Sequence, residues 1–148
     1  MVLSPKNKEF EFLDNTVSDL SFKAYGANLE ELFVNSAKAL FSIICKRDIV
    51  PKKRKFKVSL FETPEELLYD WLAKLLVISD SEDIFLSDFE VCITPDESAD
   101  GRYKLNATCF GDKATSKLSL TQVKAITRYK FELRKTKKGF EALVVVDV

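Results

Sequence analysis

The sequence predicts an α+β domain in which two amphipathic helices pack on one face of a mostly antiparallel sheet. Three observations carry this. Several segments alternate apolar and polar residues with the period of two of a half-buried strand, and two others space apolar residues as a helix does, behind capping residues. Phe140 to Val146 is a β-branched run of the kind found in a central strand covered on both faces. A chain of 148 residues with 46% hydrophobic content suits one domain, residues 1–148, that buries a proper core; no linker, repeat or low-complexity stretch argues for a second. The count of strands by pattern is roughly seven.

In order, residues 1–8 form a polar lead containing Pro5. Glu9 to Leu13 sets Phe10 and Phe12 against Glu9 and Glu11, a strand pattern. After the acidic loop Asp14 to Asp19, a second strand turns Leu20, Phe22 and Ala24 one way and Ser21, Lys23 and Tyr25 the other, ending at Gly26. Asn28 then opens a helix with Glu31 three residues on, a capping box that satisfies otherwise orphaned backbone donors. Its apolar face is Leu29, Leu32, Phe33, Ala37, Leu40, Phe41 and Ile44.

Lys46 to Lys57 is the one strongly basic segment; from Arg54 it alternates, with Phe56, Val58 and Leu60 inward. It reads either as a patch for RNA phosphates or as a solvated loop and lysine-protected edge strand. Thr63, Pro64 and Glu66 open the second helix, whose stripe is Leu67, Leu68, Trp71, Leu72, Leu75 and Leu76, with Trp71 as core. Ser79 to Asp83 ends that helix; Asp80, Glu82 and Asp83 lack the glycine and distal glutamate of a calcium-binding helix-loop-helix. Ile84 to Ile93 and Arg102 to Phe110 read as strands joined by a turn at Pro95 to Gly101. Gly111 to Ser119 is expected to be mobile, Gln122 to Arg134 to form one long strand, and Lys135 to Gly139 the last turn.

Composition removes many functions. Lys plus Arg and Asp plus Glu number 23 each, so no global field favours nucleic acid or an anionic membrane. With no histidine, imidazole metal centres and nucleophile systems built on histidine are excluded. The four glycines stand too far apart for a phosphate-cradling loop. Cys45, Cys92 and Cys109 have no zinc-ligand spacing and read as reduced thiols of a cytoplasmic protein. The chain opens without the apolar stretch of a signal peptide, and charge interrupts every longer apolar run, so secretion and membrane spanning are not expected.

What remains is carboxylate chemistry. If the last strand is central, Asp147 and the α-carboxylate of Val148 emerge together beside whatever loop shares that end of the sheet. With Asp19 there as well, three like charges in partly dry surroundings shift their protonation or demand a cation. Hard oxygen ligands favour a divalent ion, calcium first and magnesium or manganese next. The alternative pairs Asp147 with a nearby Lys or Arg and lets Asp19 cap a turn through its side chain. Asp14 ranks below these residues, and an enzyme built on Asp14 and Asp19 has no recognisable substrate pocket.

Leu13 to Gly26, followed by Asn28-Leu29-Glu30-Glu31-Leu32-Phe33, resembles the opening of the archeases. Leu67 to Leu72, Val123-Lys124-Ala125-Ile126-Thr127 and the closing Val144-Val145-Val146-Asp147-Val148 agree with it in order, so that the resemblance covers essentially the whole chain. The usual opening loop is Asp-His-Thr-Ala-Asp; here it is one residue longer and has Asn15 in place of the histidine, and Arg128-Tyr129 stands where Tyr-His is common. The resemblance implies that Asp19, Asp147 and Val148 are metal-binding positions. It implies a protein that is not itself an enzyme but activates the RtcB-type RNA ligase, the GTP- and manganese-dependent enzyme of tRNA splicing and RNA repair, by promoting its guanylylation and turnover. The second role it suggests is a chaperone-like module acting on RNA or an RNA-modifying methyltransferase through Lys52 to Lys57.

Overall fold

Strands form where the sequence alternates, but they divide between two sheets. The computed structural model describes residues 8–13, 18–98 and 100–148. In chain order the elements are β1 (Phe10–Phe12), β2 (Asp19–Gly26), α1 (Leu29–Ile44), a single 3-10 turn at Arg47–Ile49, β3 (Arg54–Glu62), α2 (Pro64–Glu82), β4 (Ile84–Pro95), β5 (Tyr103–Lys113), β6 (Ala125–Ile126), β7 (Glu132–Thr136) and β8 (Gly139–Asp147). One sheet runs β1-β2-β8, with both β6 and β7 on the far side of β8; the other runs β3-β5-β4. Every pairing is antiparallel.

Alternation decides which faces meet. On β2, Phe22 and Ala24 are wholly buried; on β8 so are Val144 and Val146, the residues opposite Phe22 and Leu20. Helix α1 packs against β2 of one sheet and β4 of the other, so the core is continuous between them. Trp71 sits at its centre: the side chain is inaccessible, its indole N–H donates to the Phe33 carbonyl at 3.0 Å, and its ring meets Phe89 edge-on. No helix among the described residues is long and apolar enough to cross a membrane.

The helix starts differ in detail from the capping boxes expected. The Asn28 side chain accepts from the Glu31 N–H at 2.8 Å, while the Glu31 carboxylate reaches back to the Ala27 N–H, one residue further than expected. Thr63 makes no side-chain cap bond, and Glu66 turns away to Arg128 instead. Helix α2 continues to Glu82 and stops where Asp83 takes the left-handed conformation, φ 54°.

Two segments depart from expectation. Gly111 to Ser119 is tied down: Gly111 to Lys113 belong to β5, the Ala114 N–H donates to the Asp83 carbonyl at 2.9 Å, and the Lys46 N–H donates to the Leu118 carbonyl at 2.9 Å. Beyond it the N–H groups of Leu120 and Thr121 bond the carbonyls of Ile44 and Ile43 at the C-terminal end of α1. Gln122 to Arg134 is not one strand. Ile126 lies opposite Val146, a register that carried on would put Tyr129 opposite Leu143, yet Glu132 stands there, so 132 − 129 = 3 residues are looped out. Lys130, at φ 55°, supplies the left-handed residue that breaks the alternation.

Candidate functional site

In the β2–β8 pair the register sets Asp19 directly opposite Asp147. Residues opposed in this way across antiparallel strands project to the same face with Cβ atoms ~4.5–5.5 Å apart. That face is the one turned from the core, since the neighbouring positions Leu20 and Val146 belong to the inner face with Phe22 and Val144. Both aspartates are half-buried. Neither carboxylate forms an ion pair among the described residues.

Main-chain bonds hold this end. The Lys124 N–H donates to the Asp147 carbonyl at 2.7 Å, and the Val148 N–H donates to the Ser18 carbonyl at 3.2 Å. The backbone is fixed without using either carboxylate. Asp19, Asp147 and Val148 are therefore neighbours, whereas Asp14, with the rest of 14–17, lies outside the described residues, as do residues 1–7 of the polar lead. Among the described residues no three Cys, Asp or Glu side chains gather closely enough to hold a metal ion. The two carboxylates fit a hard divalent cation in donor type and in having no ion-pair partner among the described residues. The rest of its coordination shell would come from main-chain oxygens such as those of Val148 and from water.

Beside this end, the loop between β6 and β7 carries a second cluster that the sequence reading passed over. Arg128 lies 3.6 Å above the Tyr69 ring and bonds Glu66 at 2.6 Å. That bond holds the Glu66 carboxyl below the usual carboxylate range and raises Arg128. Asp70, next along α2, is shifted upward by burial and then by Glu66 and Glu62, with Arg128 opposing. The signal available in the sequence was Arg128-Tyr129-Lys130 itself, an aromatic between two cations. It was masked by the false continuity of Tyr129, Phe131 and Leu133.

The basic segment lies elsewhere, on and before β3, and part of its charge is matched, while Lys53, Lys55 and Lys57 have no ion pair among the described residues. Lys52 pairs with Asp88 at 3.2 Å, Arg54 with Asp112 at 3.7 Å, and Arg47 reaches the Ser87 carbonyl at 3.0 Å. A cavity of about 740 Å³ opens at the opposite end of the β2–β8 pair from the two aspartates, between Glu11, Tyr25, Glu31, Phe140 and Glu141. The carboxylates and the phenol that line it are already partnered. Tyr25 donates to Glu11, which lowers the Glu11 carboxyl, and Arg134 bonds Glu141. A cavity alone therefore does not identify the site; two directly opposed carboxylates without an ion-pair partner among the described residues do. The buried thiols of Cys45 and Cys109 are pushed up to about 12 by burial, which leaves them inert at neutral pH.

Residues 10–148 match the family model described as the Archease protein family. The chain is 36% identical to a protein archease of Methanosarcina barkeri over 99% of its own length and 100% of that protein's, and 37% identical to one of Pyrococcus abyssi over 95% and 99%. The fold is similar to the solution structure of protein 1598 of Methanobacterium thermoautotrophicum, with a TM-score of 0.78, 32% identity, and 94% and 98% of the two chains covered. It also resembles the crystal structure of an archease, possible chaperone, of Thermotoga maritima, with a TM-score of 0.55 over 92% and 98% of the chains. At 14% identity that second likeness concerns the fold alone.

Proposed function

The chain belongs to the archease family, and we propose that it activates an RtcB-type RNA ligase in tRNA splicing or RNA repair, in the cytoplasm, without catalysing a reaction of its own. The observation that carries this reading is the register that sets Asp19 opposite Asp147 at the free end of β8. The two carboxylates, with the main-chain oxygens of Val148, hold a divalent cation, calcium first and magnesium or manganese next. The cation supplies positive charge at the end of the sheet. Asp19 and Asp147 orient it, and the bonded backbone of Lys124, Ser18 and Val148 keeps them in place while that end is presented to the ligase active site. A cation held there by Asp19 and Asp147 would be presented to, or exchanged with, the ligase, and would thereby promote guanylylation and repeated turnover. The RNA- or methyltransferase-binding reading through Lys52 to Lys57 is weakened by the acids that already engage Lys52 and Arg54.

The test is multiple-turnover RNA ligation by the cognate ligase, with and without this protein, across manganese and calcium titrations. Wild type is expected to stimulate and Asp147→Ala to fail while keeping its fold by circular dichroism. Equal stimulation by wild type, Asp19→Ala and Asp147→Ala would sink the proposal.

A further inference from the structure

We infer that the free edge of β3 pairs with the same edge of a second copy of this chain, antiparallel about a two-fold axis at Val58, so that two three-stranded sheets join into one. The inference goes beyond the activator reading and concerns how the protein assembles. It begins from a strand edge that the fold leaves bare.

An edge strand presents a row of main-chain donors and acceptors, and proteins shorten or cover such edges because another chain can pair with them. The other edges are managed in these ways. β1 is three residues long and β6 two. On β7 the Leu133 N–H donates to the Glu65 carboxylate at 3.0 Å. On β4 the Ile93 N–H donates to Glu30 and the Ser87 carbonyl accepts from Arg47, both at 3.0 Å, and α1 packs against that strand. β3 is nine residues long and stands last in the order β4-β5-β3; among the described residues its main chain bonds only to β5.

The side chains of β3 complement themselves. An antiparallel pairing centred on Val58 sets Arg54 opposite the second copy's Glu62, Lys55 opposite Phe61, Phe56 opposite Leu60 and Lys57 opposite Ser59. Two-fold symmetry repeats each pair, so both ends close on opposite charges. Within one copy the ion pairs of Arg54 and Glu62 are long, 3.7 Å to Asp112 and 3.8 Å to Arg102, and both groups stay available. On the outer face Phe61 is 40% exposed and offers its ring to Lys55. On the inner face the half-buried Phe56 and Leu60 cover one another across the new pair.

Lysines on an edge ordinarily oppose pairing; here they choose the register. Centring the pair on Lys57 sets that lysine against itself. Centring it on Ser59 puts Glu62 against Phe56 and Arg54 against Pro64. Of these three registers, the one at Val58 matches opposite charges without placing like charges directly opposite. In it the two Lys57 side chains are diagonal neighbours ~7–8 Å apart, exposed and screened by salt. One strand pair is a small contact, so the dimer is weak and depends on concentration.

Sedimentation equilibrium of the full chain over a dilution series tests this for wild type, Arg54→Glu, Glu62→Arg, the variant carrying both changes, and an equimolar mixture of the two single variants. Wild type is expected to show a monomer–dimer equilibrium. Each single reversal sets like charges opposite at both ends and should weaken dimerisation about tenfold or more. The double variant should recover it, and the mixture should dimerise where neither single variant does, because each copy supplies the charge that the other lacks. Amide hydrogen exchange in residues 54–62 should slow as protein concentration rises. A wild type that stays monomeric up to about 1 mM overturns the inference. So does a mixture that associates no better than its components, or a dimer that leaves exchange in residues 54–62 unchanged. Slowing of that exchange only when a different protein is added gives the edge to another partner and overturns it as well.

Discussion

Replacing Asp147 by Asn should move stability in opposite directions depending on whether a divalent cation is present. Without metal, Asp19 and Asp147 are like charges directly opposite across antiparallel strands, with no cation paired to either among the described residues. An opposed pair of this kind costs ~0.2–1 kcal/mol, which Asp147→Asn removes while keeping the side-chain shape. For a chain of this length 1 kcal/mol moves Tm by ~2–4 °C, so in EDTA the variant should melt up to about 4 °C above wild type. With calcium at a hundred times Kd, wild type gains ~2.7 kcal/mol by mass action, or ~5–11 °C, whereas the variant has lost a charged ligand and gains much less. The order of the two melting curves therefore inverts between chelator and saturating calcium. Differential scanning calorimetry of both proteins in EDTA, calcium, magnesium and manganese checks this. A wild-type Tm indifferent to all three ions, or a variant less stable than wild type in EDTA, would refute the reasoning.

Three further outcomes follow from other parts of the molecule. Trp71→Ala removes the largest wholly buried side chain and should cost ~3–5 kcal/mol, lowering Tm by ~6–20 °C in a thermal melt. Asp70, whose carboxyl is raised in the folded state by burial and by Glu66 and Glu62, binds its proton more tightly folded than unfolded. Its ionised form thus costs stability above the folded value, and the cost vanishes as pH falls through that value. Asp70→Asn should therefore raise Tm at pH 7 and lose this advantage in acid, which a pH series of melts reads directly. Reversing Lys53 and Lys57 to Glu, both exposed, should change stability by less than ~0.5 kcal/mol and leave stimulated ligation at the wild-type level. A collapse of stimulation in that double variant would return attention to the basic segment.

The helices were legible because their evidence is local. The stripes around Leu32 and Phe41 in α1 and around Leu68, Trp71 and Leu75 in α2 are the stripes that pack. Strand existence was legible by the same logic, and the division into two sheets was not: period two states which side chains share a face and says nothing of which strand lies alongside. The break at Tyr129 was hidden for another reason: expelling three residues shifts the inner face from Ile126 to Leu133, but Tyr129, Phe131 and Leu133 alternate on their own and disguise the change of phase. Glu66 shows tertiary contact overriding a local rule, for a charged Arg128 across the structure wins it from the helix cap. Asp19 and Asp147 could be named from residue type and resemblance. That they stand opposite one another is a property of a register between strands at the two ends of the chain, which no local pattern expresses.

That register is where fold and proposed chemistry are coupled. A slip of one residue between β2 and β8 would turn Asp147 into the core and bring Val146 out, exchanging the two faces along the whole pair. The buried row Phe22, Ala24, Ala142, Val144 and Val146 opposes such a slip by its sheer apolar content. The two ends oppose it by geometry. At one, Gly139 adopts φ +144°, and its missing side chain leaves room for the Gly26 carbonyl, an approach that any Cβ would block. At the other, the bonds from Lys124 to Asp147 and from Val148 to Ser18 pin the backbone beside the acidic pair. Among the described residues, what fixes Asp19 and Asp147 is therefore core packing or main chain, and neither carboxylate is engaged by an ion pair. A site whose ligands were also its structural ties could not release or exchange a metal without loosening the sheet; carboxylates free of such ties would allow both, which suits the proposed task of presenting a cation to another active site.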